Sequence, residues 1–137
     1  MNAFRFTLRA LAVLALVTGT IDVLLGLAAQ ATIGAALEEG YADPLLNSQI
    51  RYLGAIWFGF GWLLTYCLRD LPRYAPIVRG ALWVVVLGGL GRLASVLQFG
   101  HPPSAVGFHF VNGAIAIELV GIPLLLVWMG RLLPRGR

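Results

Sequence analysis

The chain has 137 residues, of which 59% are apolar and 12% charged, a size that suits one domain and a balance far from the roughly 45–50% and ~25% usual in soluble domains. Its formal charge of +4 rests on ten arginines and no lysine. All but Arg51 and Arg92 flank apolar stretches, so no basic face with interleaved aromatics forms and nucleic-acid binding is excluded. Cys67, the only cysteine, leaves no internal disulfide, no dithiol chemistry and no zinc-type spacing.

Four apolar segments approach the ~20 residues that a helix needs to cross a bilayer: Ala10 to Ala29, Tyr52 to Leu68, Ile77 to Phe99 and Ala105 to Met129. They predict an all-α, four-helix transmembrane bundle occupying the whole chain as one membrane domain. Arg5 and Arg9 before an apolar run, with Ala29-Gln30-Ala31 behind it, share features of a secretory signal. The length of the run and Asp22 within it favour a retained span. The connection from Gln30 to Arg51 carries Glu38, Glu39 and Asp43, and places Ile33, Leu37, Tyr41 and Leu45 at helix-like spacing, as in a short helix on a membrane surface. Asp43 before Pro44 reads as an N-cap followed by proline at the first helical position. Arg69 to Pro76 reads as an arginine-bearing connection. Gly100 to Ser104, with Pro102 and Pro103, reads as a tight turn. Pro123 predicts a kink inside the fourth span. Arginines at both chain ends and in the second connection then orient both termini to the cytoplasm.

Arg92 interrupts the third span, where a charge is costly to place. Asp22 lies thirteen residues after Arg9, Arg92 thirteen after Arg79 and Glu118 thirteen before Arg131. At 1.5 Å per residue each stands about 20 Å above the inner flank. Arg51, eighteen residues before Arg69, stands about 27 Å up and has the reach to join them. Positions three and four away share a helical face, and small residues supply at least half of each charged face: Gly88, Gly89 and Ser95 beside Arg92, for example. Small residues let helices approach closely, so the four charges are expected to point inward, with Arg92 paired to Asp22 or Glu118. Asp22, Arg51, Arg92 and Glu118 are therefore the candidate ligand-binding residues, and the competing reading is a network that fixes helix register.

Three further stretches carry the pattern of a known family: Asn47-x-Gln49-x-Arg51-Tyr52-Leu53-Gly54 running into Gly59-x-Gly61; Gly88-Gly89-Leu90-Gly91-Arg92-x-x-Ser95; and Glu118-Leu119-x-Gly121-x-Pro123. In their order on four spans they resemble the small bacterial membrane family known as domain of unknown function 4345. The resemblance reaches from the first span to Pro123. It implies an integral four-helix protein and no assigned activity. Together with the all-arginine basic set it points to a multi-pass protein of the bacterial cytoplasmic (inner) membrane.

Other chemistry is weakly encoded. His101 and His109, with Asn112 one turn beyond His109, read as polar residues at a wet helix end rather than metal ligands. Gly88-Gly89-x-Gly91 lacks the preceding strand of a phosphate loop and reads as a packing surface. Tyr52, Trp57 and Phe58 read as packing, and Cys67 as a small packed side chain. No cofactor or metal is expected. The expected partners are the lipid bilayer and a small lipophilic or anionic molecule held by the charge cluster. Two rival functions remain. One is a membrane enzyme using Asp22 or Glu118 as general acid on an apolar substrate. The other is an accessory subunit or oligomeric transporter, with Ala55-x-x-x-Gly59 against a second copy or a partner membrane protein.

Overall fold

A computed structural model describes residues 1–32 and 42–133. Its elements are α1 (Asn2–Leu25), α2 (Ala28–Thr32), α3 (Pro44–Cys67), a 3-10 turn (Leu68–Asp70), α4 (Leu71–Phe99), α5 (Ala105–Ala116), a π turn (Ile117–Gly121) and α6 (Ile122–Leu132). Regular structure among the described residues is entirely helical. The surface helix expected around Ile33, Leu37 and Tyr41 lies outside them.

Three stretches are long and apolar enough to cross a membrane: Asn2–Leu25, Pro44–Phe99 and Ala105–Leu132. The second, of 56 residues, comprises α3, the 3-10 turn and α4, with the Arg69-Asp70 pair near its middle. Large apolar side chains such as Leu14, Val17, Trp62, Val84, Leu87, Val120 and Leu124 are exposed, and no polar or charged residue among those described is buried. Water penalises such a surface and hydrocarbon does not, so the helices suit a membrane protein.

Contacts divide the chain into two units. The first, Arg5–Arg69, packs α1 against α3. A Cβ built on Gly61 would lie 2.7 Å from the Ala12 carbonyl oxygen, one on Gly54 2.6 Å from Asp22 Cβ, and one on Gly19 2.5 Å from Phe58 N. Partners descend along α1 as they rise along α3, so the helices run antiparallel, with glycine wherever their backbones nearly touch. Trp57 Nε1 donates to Thr18 Oγ1 at 2.8 Å, which satisfies the indole N–H inside an apolar contact. At the far end Arg5 Nη2 donates to the Leu68 carbonyl.

The apolar run continues to Ala29, yet α1 stops at Leu25 because Gly26 turns left-handed at φ 60°, the usual helix-ending conformation. Asn47 and Arg51, one turn apart on α3, receive the exposed end. Asn47 Oδ1 accepts from Leu27 N–H at 3.2 Å, and Arg51 Nη1 donates to the carbonyls of Val23 and Leu24. A cation thereby meets orphan carbonyls at the negative end of the helix dipole. Asn47→Ala and Arg51→Met should each cost about 1–2 kcal/mol, read as faster amide exchange at residues 24–27 with the middle of α1 unchanged. Asp43 caps α3 as expected, its Oδ1 accepting from Leu46 N–H at 2.9 Å, with Pro44 opening the helix.

The second unit is Met1–Phe4 with Asp70–Arg137. Here the expected connection up to Pro76 is corrected: α4 already begins at Leu71. Asp70 Oδ1 accepts from Arg73 N–H at 3.3 Å, Pro72 sits in the first turn where its missing N–H costs nothing, and Pro76 forgoes only a bond to the first-turn carbonyl. Leu71, Val78, Leu82 and Val85 of α4 and Ile122, Leu125 and Met129 of α6 are buried at helical spacing where these two helices pack. Phe4 adds an edge-on contact to Trp128, 5.3 Å between centroids. Gly100, at φ 82°, ends α4, and Ser104 Oγ caps α5 by accepting from Gly107 N–H at 3.0 Å.

Candidate functional site

The π turn stands immediately before Pro123, where Ile122 N–H reaches back five residues to the Ile117 carbonyl. Proline lacks an N–H and crowds the carbonyl of the preceding turn. Widening that turn accommodates the ring, so where the sequence predicts a kink the helix carries a π turn. Such turns recur at functional sites, and this one carries Glu118.

Glu118 faces Arg92 on α4. Arg92 Nε donates to Glu118 Oε2 at 3.1 Å and Nη2 to Oε1 at 3.2 Å, a two-pronged pairing that fixes both planes. Gly89, three residues before Arg92, makes it possible. A Cβ there would lie 2.7 Å from Glu118 Cβ and 2.8 Å from Leu119 Cδ2, so only glycine lets the π turn come this close to α4. The pair is not sealed: the Arg92 side chain retains 38% of its exposure and Glu118 16%. Among the described residues Nη1 of Arg92 donates to no protein group, because Glu118 occupies the Nε and Nη2 edge.

Arg92 also lines a cavity of about 330 Å³ at the α4–α5 turn, together with Ser95, Val96, Phe99, His101 and Val111. Ser95, one turn beyond Arg92, adds a hydroxyl on the same face, as the three-residue spacing implies. His101 Nε2 lies 3.2 Å from Asn112 Oδ1, and Asn112 Nδ2 donates to the Phe108 carbonyl at 2.9 Å. His109 stands edge-on to the Phe108 ring at 5.5 Å and is not a lining residue of the cavity.

The four candidate charges divide between the units. Arg92 and Glu118 meet in the second, which resolves the partner of Arg92. Asp22 and Arg51 belong to the first, where Arg51 grips the end of α1 and Asp22 Cβ lies against Gly54. Among the described residues neither forms an ion pair. Cys67 is buried. Among the described residues of this unit nothing lies within 4 Å of a Cβ built on Gly88 or Gly91, so of that glycine cluster Gly89 is the one in close packing there. Sequence reasoning read His101 and Asn112 as polar residues at a helix end and did not foresee their contact or the place of His101 beside Arg92. Their eleven-residue separation crosses a proline turn and matches no helical spacing, and the one available signal was the polar pair beside an otherwise apolar helix.

A family model described as domain of unknown function (DUF4345) matches residues 3–129. The chain belongs to this family. No match was found among curated proteins or among solved structures. In this DUF4345 protein the matched region holds the Arg92–Glu118 pair, the π turn, the His101–Asn112 pair and the capped end of α1.

Proposed function

We propose that this DUF4345 protein is a four-span helical bundle of the bacterial inner membrane, with both termini in the cytoplasm, that binds a small lipophilic or anionic molecule in the Arg92 cavity. The observation that carries this reading is a guanidinium, held by Glu118, opening onto a cavity of about 330 Å³, within the ~300–1,000 Å³ range of small-molecule sites. An ionisable group inside a span is by default a functional-site candidate. A pair serving only to fix helix register gains nothing from a cavity beside the cation, since water entering it weakens the pairing. Both Glu118 oxygens are engaged by the guanidinium, which leaves neither free to face a substrate and favours binding over general-acid catalysis. Asp22 and Arg51, in the other unit, are assigned to packing and capping of α1 and α3.

The test compares wild type with Arg92→Met, purified in mild detergent, by native mass spectrometry after circular dichroism establishes folding. A discrete non-phospholipid adduct on the wild type, missing from a folded variant, is the expected result. A wild type that carries no specific adduct, with a variant that unfolds, would make Arg92 a structural strut.

A further inference from the structure

Resting on that reading, we infer that the Arg92 cavity receives the phosphate monoester headgroup of a lipid, held as its monoanion between Arg92 and His101. The chain of bonds beyond the cavity sets the chemistry inside it. Asn112 Nδ2 donates to the Phe108 carbonyl, which leaves Asn112 Oδ1 as an acceptor, so the proton of the neutral imidazole is on Nε2. Nδ1 of His101 then carries a lone pair and has no protein partner among the described residues. The cavity thus presents a cationic donor at Arg92, a hydroxyl at Ser95, and an acceptor at His101.

Charge and hydrogen-bonding capacity narrow the occupant. Glu118 already balances Arg92, so a dianion would leave two uncompensated negative charges beside the pair where a monoanion leaves one. The fitting group is a monoanion that accepts from Arg92 and Ser95 and still has an O–H for His101 Nδ1. A carboxylate, a sulfate ester and a phosphodiester have no such hydrogen. A phosphate monoester has one to keep: its second ionisation near ~6 makes the dianion the main form at neutral pH in water, and the Glu118 charge beside the site shifts the bound ester toward the monoanion. The remaining walls, Val96, Phe99 and Val111, are apolar. Phe99 and the neighbouring Leu97 are 83% and 78% exposed, a surface along which an acyl or prenyl chain can leave the cavity into the membrane.

Dodecyl phosphate and its matched diester, methyl dodecyl phosphate, separate this inference from the reading beneath it, with calorimetric titration of the full chain in mild detergent. Wild type should bind the monoester at least ten-fold more tightly than the diester. His101→Phe should erase that preference while the diester still binds, and Arg92→Met should weaken both at least ten-fold. Asn112→Leu, which frees the imidazole tautomer, should reduce the preference and serves if His101→Phe does not fold. Equal binding of the two esters to wild type, or a preference that survives in folded His101→Phe, overturns the inference and leaves the binding-protein reading standing. Folded wild type that binds neither ester overturns both. Inorganic phosphate displacing dodecyl phosphate at equal concentration would overturn the lipid assignment and make the ligand a free oxyanion.

Discussion

Gly19→Ala should destabilise the α1–α3 unit by about 3 kcal/mol or more, an unusually large effect for a single methyl group. Overpacking usually costs about 1–3 kcal/mol because flexible side chains move aside. Here the new Cβ would lie 2.5 Å from Phe58 N and 2.7 Å from the Gly54 carbonyl oxygen, which are backbone atoms of a helix. They yield only if α3 as a whole withdraws, and withdrawal pulls apart the contacts at Gly54 and Gly61 together. The control is Gly59→Ala on α3, where nothing lies within 4 Å of the added carbon. That change should be neutral or stabilising by up to about 1 kcal/mol, the ordinary gain in helix propensity. Unfolding in mixed detergent micelles, followed by circular dichroism, measures both; equal midpoints for the two variants would refute the close approach of the helices.

The second large effect is expected at Glu118. Glu118→Leu removes the carboxylate that accepts two of the guanidinium's donors, and breaking a buried pair from one side typically costs about 3–5 kcal/mol. Because Arg92 keeps 38% of its side-chain exposure, water offsets part of that penalty, and a loss of about 2–3 kcal/mol is expected. The double variant Arg92→Met/Glu118→Leu should recover most of the loss, since no charge is left stranded and two apolar side chains of similar volume meet. A double-mutant cycle on the same unfolding assay gives the coupling. Additive losses would mean that the two side chains act independently, contrary to their two-pronged contact.

Much of this was legible in the sequence, for physical reasons that differ from element to element. Hydropathy and length located the apolar helices because a bilayer demands long uninterrupted runs. Asp43-Pro44 announced the start of α3 because capping is a local matter, settled within one turn. The match of Arg92 to Glu118 was readable only as one of two choices, since counting rise gives depth along a helix and says nothing of which helices are neighbours. The end of α1 was hidden altogether. Leu24 to Ala29 contains no breaker except Gly26, whose left-handed turn ends the helix, and the group that receives the freed Leu27 N–H is the side chain of Asn47, supplied from α3. Pro76 misled in the opposite direction, because proline in an early turn removes little and the helix forms around it. At the site, Arg92 and Ser95 share a face that periodicity reveals. His101 reaches them only by way of a turn, so the cavity had no periodic signature.

The clasp of Asn47 and Arg51 on the last turn of α1 also has a polymer-physics consequence. It joins Leu27 to Asn47, twenty positions apart along the chain, and so incurs the entropy of closing a ring. Closure entropy grows only logarithmically, by roughly 0.6 kcal/mol for each doubling of length. The cost of the clasp is therefore set mainly by its being made at all, and only weakly by the sequence distance that it spans.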